Sequence, residues 1–208
     1  DNIIGVIGEG VAASPNPVLG WVGSLSEWEG TKGYWLKSNA TFSFSFDVSE
    51  TSSRLNNDTY SPYDYSQSME QSFYFIDELD DAGLGIKEGD WILAYEDNVL
   101  VGARQWKGGY FTDIPAMGFD DNIMTAGYCN DGDKINFKLY KNNTGELLDM
   151  YYETNIPKWV DNTIQMLGSF NTIDIPGEIS LLPSYPNPFN PSTHVQFTIP
   201  SDMDVALK

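Results

Sequence analysis

Hydrophobic residues along this chain come in short runs broken by Gly, Pro, Asn and Asp, and they alternate with polar residues more often than they recur at helical spacing. Residues 3–7 (Ile-Ile-Gly-Val-Ile) are rich in β-branched side chains and predict a strand, and Gly8, Gly10, Pro15 and Pro17 punctuate the loop after it. Residues 21–25 and 33–37 predict two more short strands. Residues 41–46 alternate strictly, with Phe42, Phe44 and Phe46 on one side and Thr41, Ser43 and Ser45 on the other. A strand with one buried aromatic face is expected there. Residues 48–68 are rich in Ser, Asn, Asp, Thr and Tyr. They predict a long loop or linker, and Tyr60, Tyr63 and Tyr65 argue that it packs against something.

Residues 69–170 hold the densest strand signals, beginning with 72–76. Gly89-Asp90-Trp91-Ile92 opens a strand that runs to Tyr95, turns at Glu96-Asp97-Asn98 and returns over 99–103. Gly132-Asp133-Lys134-Ile135 opens a second hairpin, through Tyr140, a turn at 142–145 and a return over 146–151. In each opening Gly supplies a positive φ and Asp caps local N–H groups, so the pair reads as a weak internal repeat, two hairpins of one sandwich. Residues 156–167 fit either a short helix or a strand. Short strands with turn signals at roughly 8–12-residue spacing predict an all-β chain: one or two β-sandwich-like domains of mainly antiparallel strands. The predicted organisation is an N-terminal β-module over 1–47, a linker over 48–68, a main sandwich over 69–170 and a Pro-rich connector over 171–191. Residues 192–208 then begin a further β-unit, whose strand puts Val195, Phe197 and Ile199 on one face.

The string Tyr185-Pro186-Asn187-Pro188-Phe189-Asn190-Pro191-Ser192-Thr193 follows Leu182-Pro183-Ser184 and precedes Val195-x-Phe197-x-Ile199-Pro200. It resembles the start of the C-terminal sorting domain of proteins exported by the type IX secretion system of Bacteroidota and related phyla. The resemblance covers about residues 181–208, and in that family the module continues through several more strands. Upstream, Gly33-Tyr34-Trp35-Leu36 and Gly89-Asp90-Trp91-Ile92 are similar to β-modules common in such exported proteins. The resemblance implies an extracellular or cell-surface protein of a Gram-negative bacterium, with a secretion signal before Asp1. It implies nothing about activity, because such a module is an address.

Charge then narrows the partners. The 208 residues carry 30 Asp and Glu against 11 Lys and Arg, a formal charge of −19. Nucleic acid needs clustered cations and is excluded, and anionic membrane surfaces are disfavoured by the same sign. No apolar run approaches the ~20 residues of a spanning helix. Cys129 and His194 are the single Cys and the single His. Ser-His-Asp, Cys-His and zinc sites therefore lack their parts, and neither an enzyme nor a cofactor is expected. The acid pairs Glu88/Asp90, Asp120/Asp121 and Asp131/Asp133 are expected to cap turns or face solvent. Asp131 and Asp133, and the acids of 77–81, are weak candidates for a structural calcium ion, with plain turn chemistry favoured.

Aromatic residues, 14% of the chain, have two roles to share. Trp21, Trp35 and Trp91 sit inside strand patterns and are expected in the core. Trp106, Tyr110 and Phe111 flank Lys107-Gly108-Gly109, a predicted loop tip, and are the candidate glycan contacts. Arg104, one of two arginines, is expected to pair with an acid. The function expected from all this is that of a secreted or cell-surface, non-catalytic structural or adhesive protein. In its specific form it is a self-associating fibre subunit joined by β-strand donation through Val195, Phe197 and Ile199. The alternative is a carbohydrate-binding module of a larger exported protein. At −19 per copy, assembly must rest on paired strands and buried aromatics.

Overall fold

The computed structural model describes residues 2–45, 63–76, 79, 85–109, 111–152, 155–168, 170–172, 180–181, 194 and 197–198. Their regular structure is β-strand apart from one 3-10 turn, Ile123–Thr125, and the architecture is all-β and sandwich-like. Asp1–Thr172 is one compact unit and Ile173–Lys208 a second. In the first unit, β1 (Ile3–Ile7), β2 (Ala12–Asn16), β3 (Gly20–Gly23) and β4 (Trp35–Ser38) form an antiparallel sheet in the order β3-β2-β1-β4. Next come β5 (Gln71–Ile76), the hairpin β6 (Trp91–Glu96) and β7 (Val99–Gln105), β8 (Thr112–Met117), and the hairpin β9 (Ile135–Lys141) and β10 (Glu146–Tyr152). The unit closes with β11 (Thr163–Leu167) and β12 (Phe170–Thr172). Both expected hairpins lie in one five-stranded sheet, β12-β10-β9-β6-β7, and a three-stranded sheet runs β11-β5-β8. Every strand pair is antiparallel except β5 with β11, which is parallel; 163–167 is thus strand, and the helical alternative over 156–167 does not form.

Burial explains the layering. β5 and β8 are buried at every position instead of alternating, which requires cover on both faces. On one side Phe73 and Phe75 meet Ile7, Ala12, Val22, Phe111 and Ile164. On the other, Tyr74 and Ile76 meet Ile92, Phe137, Leu139 and Phe170. The three-stranded sheet is therefore a middle layer between the N-terminal and five-stranded sheets. The N-terminal sheet has no core of its own, and the regions on either side of 48–68 share one. Of the tyrosines in that segment, Tyr63 and Tyr65 pack on the outer face of the five-stranded sheet with Trp91, Leu93 and Ala103; Tyr60 lies outside the described residues. Tyr63 meets Trp91 and Tyr140 edge-on, and burial, with Tyr140 beside it, pushes its phenol up to about 12.

The two Gly-Asp openings are one device used twice. Gly89 and Gly132 hold φ of 96° and 97°, a region closed to most side chains. Asp90 Oδ2 accepts the Lys87 N–H at 2.9 Å, and Asp133 Oδ2 accepts the Asn130 N–H at 2.7 Å. Gly89 N–H then donates to Trp106 O, and Gly132 N–H to Trp159 O, both at 2.9 Å. Trp106 N–H returns to Asp90 O (2.8 Å) and Trp159 N–H to Asp133 O (2.9 Å). Each turn clamps a buried tryptophan at two points.

Residues 41–45 form no strand, against the expectation from their alternation. Asn39 N–H donates to Asn2 O at 3.0 Å, extending the β1–β4 pairing as far as the first described residue of β1's side, so 41–45 find no partner strand. Phe46 lies outside the described residues. In the second unit, β13 (Ser180–Leu181) and β14 (Phe197–Thr198) make a two-residue antiparallel ladder with Leu181 opposite Phe197. Val195, Ile199 and the Pro-rich string 182–193 lie outside the described residues.

Candidate functional site

The six tryptophans divide by layer. Trp91, Trp106 and Trp159 are 5%, 3% and 0% exposed, whereas Trp21, Trp28 and Trp35 are 48%, 49% and 40% exposed. The exposed three all lie on the N-terminal sheet or in its β3–β4 connection. Trp91 is in the core as expected, but Trp21 and Trp35 are not. They sit on β3 and β4, the two edges of that sheet, whose contact with the middle layer runs through Ile7, Ala12 and Val22. A large aromatic side chain can bury about 150–250 Å². Trp21 is paired with Pro15, on the face away from Ile7, Ala12 and Val22, whereas Trp35 is paired with Ile7, on the face toward the middle layer, so the exposed tryptophans do not share one face and Trp21 marks the outer one as a candidate contact site.

One part of this surface is shaped. Asn2 and Ile3 at the start of β1, Trp21 on β3, and Phe42, Ser43 and Phe44 line an open groove. Phe42 and Phe44 are stacked, with ring centroids 5.5 Å apart and an interplanar angle of 23°. Asn2 Nδ2 donates to Thr41 O at 3.2 Å and fixes the segment that carries them. Because 41–45 leave the ladder, both phenylalanines reach the groove from a loop. Beyond β3, Trp28 meets Tyr34 edge-on at 4.7 Å, and Tyr34 Oη accepts the Glu29 N–H at 2.8 Å.

The sheet is held to the rest of the unit by buried polar groups. Arg104 on β7 pairs with Asp113 on β8 at 2.9 Å, the acid partner expected for it. Arg104 Nε also donates to Asp113 O (2.8 Å), and Nη2 to Gly10 O (2.9 Å) and Ser24 Oγ (3.1 Å). Ser24 Oγ donates to Asp113 Oδ2 (2.7 Å) and accepts the Ala12 N–H (3.2 Å). Gln71, fully buried, donates to Gly8 O (2.7 Å) and accepts the Gly10 N–H (3.1 Å). One ion pair and one amide thus fix the β1–β2 turn and the end of β3, three residues from Trp21.

Two of the three expected glycan contacts, Trp106 and Phe111, are among the described residues. Trp106 is buried under the first Gly-Asp turn and offers no face to a ligand. Phe111 packs edge-on against Phe75 at 5.6 Å, and Tyr110 lies outside the described residues. Of the calcium candidates, Asp133 caps the turn at Asn130, and Asp131 Oδ1 accepts the Asp161 N–H at 3.0 Å; the acids of 77–81 lie outside the described residues. Among the described residues no group of three or more His, Cys, Asp or Glu is placed to hold a metal ion. The pKa of Glu70 is raised, first by burial and then by the charges of Asp161, Asp120, Asp121 and Asp131. The Thr125 hydroxyl, donating to Asp120 Oδ1 at 2.6 Å, holds Asp120 below the usual carboxylate range. Burial pushes the Cys129 thiol up to about 12, so it stays protonated.

Sequence reasoning passed over Trp21, Phe42 and Phe44 as core residues. The available signal was the strand pattern's brevity: four-residue strands at sheet edges leave their aromatics half covered. No family model matches this chain, and neither a curated protein nor a solved structure matches it.

Proposed function

We propose that this chain is a non-catalytic adhesive module of an exported cell-surface protein, with its N-terminal sheet as the contact surface. Half-exposed Trp21 on the sheet's outer face, lining one groove with the stacked Phe42 and Phe44, carries this reading, and half-exposed Trp28 in the β3–β4 connection and Trp35 on β4 add apolar surface around it. The string at 182–193, similar to type IX sorting domains, supports a location outside the cell, and a charge of −19 suits a surface that must stay soluble there. The test is adsorption of the labelled chain to polysaccharide particles, to cell-wall sacculi and to beads bearing the chain itself. The Trp21→Ala/Trp28→Ala/Trp35→Ala variant is expected to lose at least about tenfold in affinity. Its stability should change by only about 0.5 kcal/mol per site, the usual scale for surface positions. Adsorption to none of the surfaces, or equal adsorption of the folded variant, would refute the proposal.

A second observation favours self-association by strand addition. Leu181 and Phe197 are exposed and pair across the described β13–β14 ladder, so this ladder presents apolar side chains of the kind that a further strand can cover. Sedimentation is expected to show concentration-dependent association that Phe197→Asp abolishes; a monomer at every concentration would remove this reading.

A further inference from the structure

We infer that the groove between Trp21 and the stacked Phe42–Phe44 pair is a subsite for a neutral pyranose ring of a glycan chain. The inference rests on the adhesive reading and adds the chemistry of the ligand. A pyranose presents C–H groups on its flat faces and hydroxyls around its edge, so a site for it needs aromatic faces with amide or hydroxyl groups beside them. The groove has that composition: three aromatic rings, the Asn2 amide and the Ser43 hydroxyl. Asn2 spends an N–H on Thr41 O, which fixes the amide's orientation beside the rings.

Charge selects among other ligands. The chain carries −19, yet each described residue lining this groove is uncharged. An anionic glycan or phosphate would meet no cation among the described residues of the groove and a repulsive field around it. A cationic ligand would be drawn instead to the acids elsewhere on a chain with 30 Asp and Glu. A neutral, hydroxyl-rich ring is the occupant that loses nothing in either respect.

The experiment is affinity electrophoresis of the full chain in gels containing soluble neutral glycans (hydroxyethylcellulose, xyloglucan, galactomannan, dextran and laminarin) and, separately, polyanionic alginate. At least one neutral glycan is expected to retard the chain, and alginate is not. Trp21→Ala and Phe44→Ala should each weaken retardation by about tenfold or more, Trp21→Tyr should restore most of it, and Leu147→Ala, at an exposed apolar position on β10, should leave it within about twofold. Retardation should persist in about 1 M salt, where charge interactions are screened to about 3 Å. If no neutral glycan retards the chain, or if Trp21→Ala and Phe44→Ala bind like the parent, the subsite is overturned. Tryptophan-dependent adsorption to self-coated beads, with no glycan retardation, would overturn it while leaving the adhesive reading standing. A chain that binds none of the beads, sacculi or glycans would overturn both.

Discussion

Arg104→Ala is expected to lower the stability of the Asp1–Thr172 unit by about 3–5 kcal/mol, read as a fall in the urea midpoint with little change in slope. Asp113, on β8, is 3% exposed and faces Arg104 on β7, so its carboxylate is poorly placed to regain solvent if the cation is lost. Removing Arg104 leaves that carboxylate with the Ser24 hydroxyl and takes away the donors to Asp113 O and Gly10 O. The cost is mainly that of a buried charge left uncompensated, not the net worth of the pair. Against a total stability of about 5–15 kcal/mol this is a large share. Arg104→Lys should recover less than half of it, because a single ammonium cannot reach Gly10 O, Ser24 Oγ and both Asp113 oxygens from one position. A loss below about 1 kcal/mol would mean that the carboxylate is hydrated and the tie superficial.

The same variant connects stability to the contact surface. Arg104 touches none of the groove residues, but it holds the Gly10 turn and Ser24, which bound β2 and β3. Loosening these should blur the spacing between Trp21 on β3 and Phe42–Phe44, so adsorption should weaken in Arg104→Ala under conditions where the chain is still folded. The polar tie thus acts as the positioning element for an aromatic surface that has few other constraints.

What could be seen in the sequence follows from the range of the physics involved. Both hairpins were legible because turn chemistry is local: Gly89-Asp90 and Gly132-Asp133 specify their own φ and their own caps. The pairing of Arg104 with an acid was also legible, since a lone cation among many carboxylates finds one. The layering was not. Trp21 and Trp91 sit in similar strand patterns, yet one is half exposed and the other buried, because cover depends on which sheet lies opposite. The unbroken apolar run Phe73-Tyr74-Phe75-Ile76, where alternation would be expected of a surface sheet, hinted at a layer covered on both sides, but Trp91-Ile92-Leu93-Ala94-Tyr95 carries the same signal, so the run alone did not single out the middle layer. Residues 41–45 mislead for a related reason: the alternation is present, but a strand also needs a neighbour. Trp106 was not legible as buried, because the two tryptophans that the Gly-Asp turns clamp stand at different distances from their turns along the chain, and their equivalence, Trp106 at the first turn and Trp159 at the second, exists only in space.

That equivalence sets the second large expected effect. Trp159→Ala should cost about 3–5 kcal/mol, the range for deleting a fully buried large aromatic. Trp159 is 0% exposed, and its Nε1–H donates to Ala116 O at 2.9 Å in the middle layer. Its ring lies against Gly118, where a Cβ would come within 2.5 Å of it. Removing the indole therefore opens a cavity between layers and leaves a buried carbonyl without its donor. Trp159→Phe separates the two losses: it keeps most of the volume but not the donor, and should cost about 1–3 kcal/mol. The backbone clamp from Asp133 and Gly132 survives both substitutions, so neither should unfold the turn itself. In a unit of this size each kcal/mol moves the melting temperature by about 2–4 °C, which makes the difference between the two variants measurable. If Trp159→Ala costs no more than Trp159→Phe, the ring is not packing the layers together and the clamp alone fixes that end of the sandwich.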